Sequence, residues 1–133
     1  MSIFQSLDGQ VALVTGAGNS LGIGFAVAKA LAADGAAVVL TSTTERIHER
    51  VAELDALGGN AIGVVADLMQ PGAADRVVAT ALGVADRLDI CVNNAGMIAV
   101  GSAATDADIE HTTDASWHDG IERNLTTCFA VTR

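Results

Sequence analysis

The sequence contains no tyrosine, one tryptophan and three phenylalanines among its 133 residues, although half of those residues are hydrophobic. A core with so few aromatic rings must be built from Ala, Val, Leu and Ile packed between closely spaced elements. Lys29 is the single lysine, and 7 basic residues stand against 16 acidic ones, which gives a net charge of −9. This charge repels phosphate backbones, so we expect no nucleic-acid partner.

Cysteines and long apolar runs are also scarce. Cys91 and Cys128 stand in apolar stretches without CxxC or Cys/His spacing, so we expect reduced, buried thiols and no metal site. No segment approaches the roughly 18 apolar residues of a membrane-spanning helix, and residues 1–8 do not resemble a signal peptide. We predict a cytoplasmic protein without a membrane partner, with one domain over residues 1–133.

Short apolar runs alternate with helix-length segments along the chain. Runs with so little polar alternation are typical of strands in a parallel sheet that is covered on both faces. The predicted strands span residues 11–15, 36–41, 61–66 and 88–93, and the predicted helices span 25–33, 45–57, a segment starting at 70–71, and 117–129. Residues 101–114 are polar and are predicted to form a surface loop. Right-handed crossovers then give an α/β fold, a doubly wound, Rossmann-like parallel sheet of about four strands in the order 3-2-1-4.

A glycine-rich segment, residues 15–24, joins the first strand to the first helix. At this point of such a fold a dinucleotide pyrophosphate can meet the amides of a helix N-terminus. Glycine allows the backbone to approach phosphates closely, and Gly24 has no side chain to separate helix from sheet. A tight turn in an α/β protein without a nucleotide has the same glycine pattern, so this segment alone leaves both interpretations open.

Three polar features follow at later positions. Asp67, at the end of the third strand, can accept a hydrogen bond from an adenine amino group or cap the following helix. Residues 93–96, after the fourth strand, either contact a ligand or form an ordinary Asn-rich turn. Asn124 lies inside a helical segment, where its amide needs a local backbone partner and indicates a bend or a site.

These motifs, in this order, resemble the short-chain dehydrogenase/reductase family over essentially the whole chain. The resemblance implies NAD(P)(H)-dependent hydride transfer between nicotinamide and a carbonyl or alcohol. It also implies that Asn124 matches the family's helix asparagine that holds a proton-relay water, which makes it the one catalytic candidate. The implied cofactor contacts are Gly16, Asn19, Ser20, Gly22, Ile23 and Gly24 in the loop, Asp67 and Leu68 at the adenine, and Asn94, Ala95 and Gly96 beside the nicotinamide ribose.

Two segments bear on the branch within the family, and each resembles a different branch. Five residues separate Gly16 from Gly22, where the family's usual pattern has three, and this length resembles the enoyl-acyl-carrier-protein reductases. The Asn-Asn-Ala-Gly segment at residues 93–96 resembles the carbonyl-reducing branch. We favour a 3-oxoacyl-reductase-like or general alcohol/ketone enzyme, acting in the complete protein on a small carbonyl or acyl-thioester substrate.

The end of the second strand indicates the cofactor. An acid there would bind the adenosine ribose hydroxyls, but residues 41–44 are all Ser or Thr. Ser42 and Thr43 can donate to a 2'-phosphate, and Arg46 can supply a counter-charge, or pair with Glu49 on the helix surface instead. We therefore predict NADP (NADPH) over NAD.

The proton donor of the family is a tyrosine with a lysine four residues later, and neither is present in this arrangement. Lys29 lies on the first predicted helix, far from the carboxyl ends of the strands. The resemblance is to the amino-terminal half of the enzymes, so we predict that these 133 residues are inactive alone. We also expect an uncovered fourth strand, an exposed apolar face on the last helix, and a homo-oligomer.

Other interpretations remain at this point. A non-catalytic dinucleotide-binding module shares every feature up to Gly96, whereas Asn124 favours descent from a complete enzyme. A receiver-like domain needs acids clustered at strand ends, and only Asp67 is placed there. The remaining candidates are predicted to be solvated surface histidines and a helix-anchoring tryptophan: His48, His111, His118 and Trp117.

Overall fold

The computed structural model describes residues 6–96 and 109–133. Its strands are β1 (Val11–Val14), β2 (Ala37–Ser42), β3 (Asn60–Val65) and β4 (Ile90–Val92). They form a parallel sheet in the order β3-β2-β1-β4, which confirms the predicted fold. The helices are α1 (Ile23–Ala33), α2 (Arg46–Ala56), α3 (Ala73–Ala85), α4 (Asp114–Ile121) and α5 (Thr127–Thr132), with a 3-10 turn at Ile109–His111 and a π turn at Glu122–Thr126.

Helices cover both faces of the sheet, and the alternation of side chains along β1 divides the core in two. Ala12 and Val14 pack with Phe25 of α1 on one face, whereas Val11 and Leu13 pack with residues of α3 and α5 on the other. All four residues of β1 are buried. A strand that is covered on both sides needs apolar residues at every position, which explains the unbroken apolar run.

Helix α3 begins later than predicted, at Ala73 instead of residues 70–71. The Asp67 carboxylate accepts the Met69 N–H at 3.0 Å, and the backbone carbonyl of Asp67 accepts the Gln70 N–H at 3.0 Å. These residues therefore form a separate turn. Gly72 then has a φ of 75°, which glycine adopts without steric cost. The helix can start only after this left-handed residue.

The last predicted helix is divided by the π turn at Glu122–Thr126. Asn124 lies in this turn, and its Nδ2 donates to Gly120 O at 3.0 Å, so the expected local backbone partner is confirmed. π turns occur often at functional sites. Residues 101–108 of the predicted loop 101–114 lie outside the described residues. Of the remainder, Ile109–His111 form the 3-10 turn and Asp114 begins α4.

The predicted burial of the two cysteines was wrong. Cys91 is exposed and Cys128 is half-buried, and both are free thiols. Cys91 lies on β4, which has a neighbour on one side only among the described strands. Partial burial, with a smaller contribution from Cys128, raises the pKa of the Cys91 thiol. Trp117, interpreted from the sequence as a helix anchor, is 57% exposed.

The remaining predictions concern the exposure of the histidines, membrane-spanning helices and metal sites. The predicted exposure of His48, His111 and His118 is confirmed. Across residues 6–96 and 109–133, no helix combines the length and apolar character needed to cross a bilayer. The same residues contain no group of His, Cys, Asp or Glu side chains that could hold a metal ion.

Candidate functional site

The predicted site residues meet at one edge of the sheet. Because the strands are parallel, the segments that follow β1, β2, β3 and β4 all leave at the carboxyl edge. Asn124 reaches the same place from the π turn. A Cβ built on Gly96 would lie 2.5 Å from Asn124 Oδ1. The structure therefore brings together the glycine-rich loop, the ends of β2 and β3, residues 93–96 and Asn124.

Thr15 and Asn94 tie the end of β1 to the end of β4. The buried Thr15 hydroxyl accepts the N–H of Asn94 at 3.1 Å and the N–H of Ala95 at 2.9 Å. In return, Asn94 Nδ2 donates to Thr15 O at 3.1 Å and to Gly16 O at 3.0 Å. Sequence reasoning missed Thr15, although a hydroxyl residue at the end of a fully apolar strand was the available signal.

Two glycines of the loop are required by the close approach of the backbone. Gly16 has a φ of 70°, and a Cβ there would lie 2.8 Å from Ala95 Cα. A Cβ on Gly24 would lie 2.5 Å from Asn94 Nδ2 and 2.9 Å from Gly16 O. Helix α1 can therefore pack directly on the tie between Thr15 and Asn94 only because residue 24 has no side chain.

Helix α1 begins at this loop without compensation for its dipole. Its N-cap is Gly22, and among the described residues no side chain caps the helix and no acid occupies its first turn. The partial positive charge of the first amides is therefore unopposed. Leu21 and Ile23 beside it are 95% and 77% exposed. Such an N-terminus can bind an anion.

Asn19 and Ser20 form the exposed part of the loop. Asn19 Oδ1 accepts the Leu21 N–H at 3.0 Å, and its carbonyl accepts the Gly22 N–H at 3.0 Å. Ser20 lies on the surface between them. Asn19 thus shapes the turn through which the chain enters α1.

The end of β2 carries hydroxyl groups and a cation that bond within one short segment. Ser42 Oγ donates to Thr44 O at 2.7 Å and accepts the Thr44 N–H at 3.2 Å. Arg46 Nε donates to Thr44 Oγ1 at 3.3 Å, which keeps its guanidinium near the end of the strand. Glu49, the alternative partner of Arg46, pairs with Arg50. Thr43 is exposed.

The end of β3 is followed by an exposed carboxylate and a half-buried apolar side chain. Asp67 is exposed and accepts hydrogen bonds from Met69 N and, at 3.5 Å, from Gln70 Nε2. It therefore shapes the turn before α3 and does not cap the helix, whose N-cap is Gly72. Leu68 is half-buried against the core on the α3 face.

Arg50 of α2 is a further residue of this edge that sequence reasoning missed. It is 8% exposed, and its Nη1 donates to Gly18 O at 3.3 Å. Its position was visible in the sequence, because it follows Ile47 by three residues and precedes Leu54 by four, which places it on the apolar face of α2.

Comparison with known proteins finds one family along nearly the whole chain. The family described as short chain dehydrogenase matches residues 10–133. The 3-oxoacyl-[acyl-carrier-protein] reductase FabG of Escherichia coli (strain K12) is 35% identical over 129 residues, which cover 97% of this chain and 49% of that protein. The chain thus spans about half the length of this curated relative.

Solved structures share the fold. A short chain dehydrogenase from Mycobacterium smegmatis has a TM-score of 0.85 and 32% identity, over 100% of this chain and 53% of that one. A short chain dehydrogenase from Burkholderia cenocepacia J2315, in complex with NADP, has a TM-score of 0.78 and 36% identity, over 95% of this chain and 49% of that one. This chain is therefore similar to both in sequence as well as in fold.

Proposed function

Because the chain belongs to the short-chain dehydrogenase family, we propose that it binds a nicotinamide dinucleotide along the carboxyl edge of its sheet, as part of an oxidoreductase. The observation that carries this proposal is the N-terminus of α1, which within the described residues has neither a capping side chain nor an acid in its first turn. An unopposed helix N-terminus stabilises negative charge, so a pyrophosphate fits there. The bound dinucleotide supplies the hydride for carbonyl reduction.

The backbone of the loop supports this fit. Side chains at Gly16 or Gly24 would collide with neighbouring atoms, so the surface offered to the ligand is backbone. Asn94 supports the loop through its hydrogen bonds to Thr15 O and Gly16 O. The proposed ligand contacts are Gly16, Asn19, Ser20, Gly22, Ile23 and Gly24 at the pyrophosphate, Asp67 and Leu68 at the adenine, and Asn94, Ala95 and Gly96 beside the nicotinamide ribose.

The proposed cofactor is NADP(H), bound through its 2'-phosphate at the end of β2. Arg46 supports this choice because its guanidinium is hydrogen-bonded to Thr44, and arginine binds phosphates through paired N–H groups. The Burkholderia cenocepacia relative was solved with NADP. The proton of the Ser42 hydroxyl is already donated to Thr44 O. Arg46 and Thr43 are therefore the stronger candidates for the phosphate, and Ser42 would have to exchange partners.

For the whole enzyme we propose reduction of a carbonyl group on an acyl thioester. The Escherichia coli relative is named as a 3-oxoacyl-[acyl-carrier-protein] reductase, and it shares residues along nearly this whole chain. Asn124, in a π turn next to Gly96, is the candidate for holding a water beside the nicotinamide. The 133 residues contain no tyrosine. We therefore expect them to bind the dinucleotide without turning substrate over.

The proposed partner in assembly is a second copy of this chain. Leu125 and Phe129 are 60% and 59% exposed and lie four residues apart, on one face of the last helical segment. Strand β4 lies at the edge of the described sheet. Exposed apolar surface beside a strand edge favours association. Light scattering over a concentration series tests this, and a monomer at every concentration contradicts it.

Titration of the 133-residue chain with NADPH and NADH, followed by nicotinamide fluorescence, tests the proposed function. We expect saturable binding of both, with NADPH about tenfold tighter, as one charge-assisted contact provides. Binding of neither contradicts the dinucleotide proposal, whereas tighter binding of NADH contradicts only the choice of cofactor. Adding a 3-oxoacyl thioester to the NADPH complex should leave the NADPH absorbance unchanged, and its decay contradicts the expected inactivity.

A further inference from the structure

Arg50 occupies a position where a charged side chain is unfavourable. Its side chain is 10% exposed, and its buried Nε has no hydrogen-bond partner among the described residues. Burying a guanidinium with an unsatisfied N–H is less favourable than burying an apolar side chain of similar size. The guanidinium lies 5.5 Å from the centre of the Phe25 ring, and a methionine could fill that space. Packing alone therefore does not explain an arginine here.

The hydrogen bonds of Arg50 connect α2 to the glycine-rich loop. Nη1 donates to Gly18 O at 3.3 Å, across a separation of 32 residues. Nη2 pairs with the carboxylates of Glu49 and Glu53, which belong to the same helix and are more exposed. These two acids orient the guanidinium, so that its other amino group points to the loop carbonyl.

Gly18 is held between Arg50 and the end of β2. A Cβ on Gly18 would lie 2.7 Å from Ser42 Cβ and 2.9 Å from Ser42 Oγ. The preceding residue is also fixed, because Ala17 N donates to Thr41 O at 2.8 Å. Residues 19–22, which lead into α1, therefore start from a position that α2 and β2 determine together.

We propose that Arg50 is a positioning residue for dinucleotide binding, whose hydrogen bond to Gly18 O sets the loop conformation that receives the pyrophosphate. The inference rests on the proposed dinucleotide function. Arg50 acts through Gly18, since its own side chain is buried between α2 and Phe25. Without this bond the loop populates further conformations, and the apparent affinity falls with the fraction of molecules in the competent one.

The variants Arg50→Met and Arg50→Lys separate this role from a structural one. Methionine fills the space without a donor, so NADPH should bind about three- to tenfold more weakly. The melting temperature should change little, because removal of the buried charge is offset by the loss of the ion pairs with Glu49 and Glu53. Lysine keeps a charged donor and should restore most of the affinity. Lys29→Met is the matched control, since Lys29 Nζ lies 5.0 Å from the centre of the same Phe25 ring but belongs to α1 and is exposed.

Hydrogen exchange of the loop amides provides a readout that needs no dinucleotide. The Gly22 N–H, which donates to Asn19 O, should exchange faster in Arg50→Met and at the parent rate in Lys29→Met. If the parent chain binds no dinucleotide, the proposed function fails and the inference fails with it. If the parent binds NADPH and Arg50→Met binds it equally well, only the inference fails. Equal losses of affinity in both Arg50 variants, with lowered melting temperatures, also overturn it because they indicate a structural role alone.

Discussion

The carboxyl edge of the sheet has two sides that are built differently. On the β1–β4 side, Thr15 and Asn94 bond to backbone groups of the opposite strand end. On the β2–β3 side, Ser42 and Asp67 bond within their own turns, to Thr44 and Met69. The polar side chains of the first pair are thus held by long-range contacts, whereas the side chains of Ser42 and Asp67 bond only within their own turns.

Because of this difference, one side of the edge can position a ligand while the other side determines which ligand is preferred. Side chains that are already hydrogen-bonded inside the fold hold the backbone in place, so a ligand on that side meets mainly backbone groups. Exposed groups in local turns can exchange partners at small cost. In the proposed complex the pyrophosphate and nicotinamide ribose lie on the fixed side and the adenosine ribose lies on the other. Cofactor preference could then change at residues 42–46 without disturbing the sheet.

Asn94→Ala disrupts the fixed side and should have the largest effect. It removes the bonds to Thr15 O and Gly16 O, so the free energy of unfolding should fall by about 2–4 kcal/mol in urea titrations. NADPH affinity should fall more than about tenfold, because Gly16 loses its support. Asn93→Ala is the control: its exposed amide donates to Thr132 Oγ1, and the loss should be under about 1 kcal/mol. If both variants lost the same free energy of unfolding, the bonds between Thr15 and Asn94 would not contribute more than an exposed side-chain hydrogen bond.

Arg46→Gln changes the open side and should have an intermediate effect. We expect NADPH to bind about tenfold more weakly and NADH with unchanged affinity, because only the former offers a 2'-phosphate. The free energy of unfolding should change by less than about 0.5 kcal/mol, as is usual for an exposed side chain. Arg76→Gln, an exposed arginine on α3, controls for the change in net charge. A parallel loss of NADH affinity would contradict a phosphate-specific role.

Asp89→Asn examines the amino end of β1 and should have the smallest effect. Arg87, through its side-chain hydrogen bonds, and the Val11 N–H hold the pKa of Asp89 below its usual value. A lowered pKa stabilises the fold above the unfolded-state pKa of about 3.9, and this contribution disappears as pH falls through the folded-state pKa. The variant should therefore melt slightly lower than the parent at neutral pH and equally in strong acid. Asp55→Asn, an exposed carboxylate on α2, is the control, and a difference that is constant with pH contradicts the prediction.

The parallel sheet could be predicted because its strands are short, nearly continuous apolar runs, and the strand order followed from a doubly wound fold with right-handed crossovers. The site edge followed from the same argument, since the segments after parallel strands leave at one edge. Asn124 was found by its poor fit to a helix, and its bond to Gly120 O confirmed that reasoning. In these cases the signal lies within a few residues of the feature it predicts.

The remaining features depend on contacts between distant residues. Periodicity places Arg50 on the apolar face of α2 but does not say that this face meets Gly18. The exposure of Cys91 follows from the position of β4 at the edge of the described sheet. The apolar neighbours of Cys91 indicated burial, whereas the expected uncovered fourth strand already pointed to exposure. The late start of α3 was missed for a local reason, because the turn formed by Asp67 and the positive φ of Gly72 outweigh the helix signal of Pro71.

The tie between Thr15 and Asn94 joins residues 79 apart in the sequence, and this separation orders events during synthesis and folding. Pairing of β1 with β2, starting with Val11 and Ala37, closes a much shorter loop and can form earlier. The glycine-rich loop precedes β4 in the chain, yet it receives its support only when Asn94 is in place. A chain folded as far as β3 has a sheet and helices but no finished binding edge. We therefore expect the proposed dinucleotide binding to be acquired only after β4 has paired with β1.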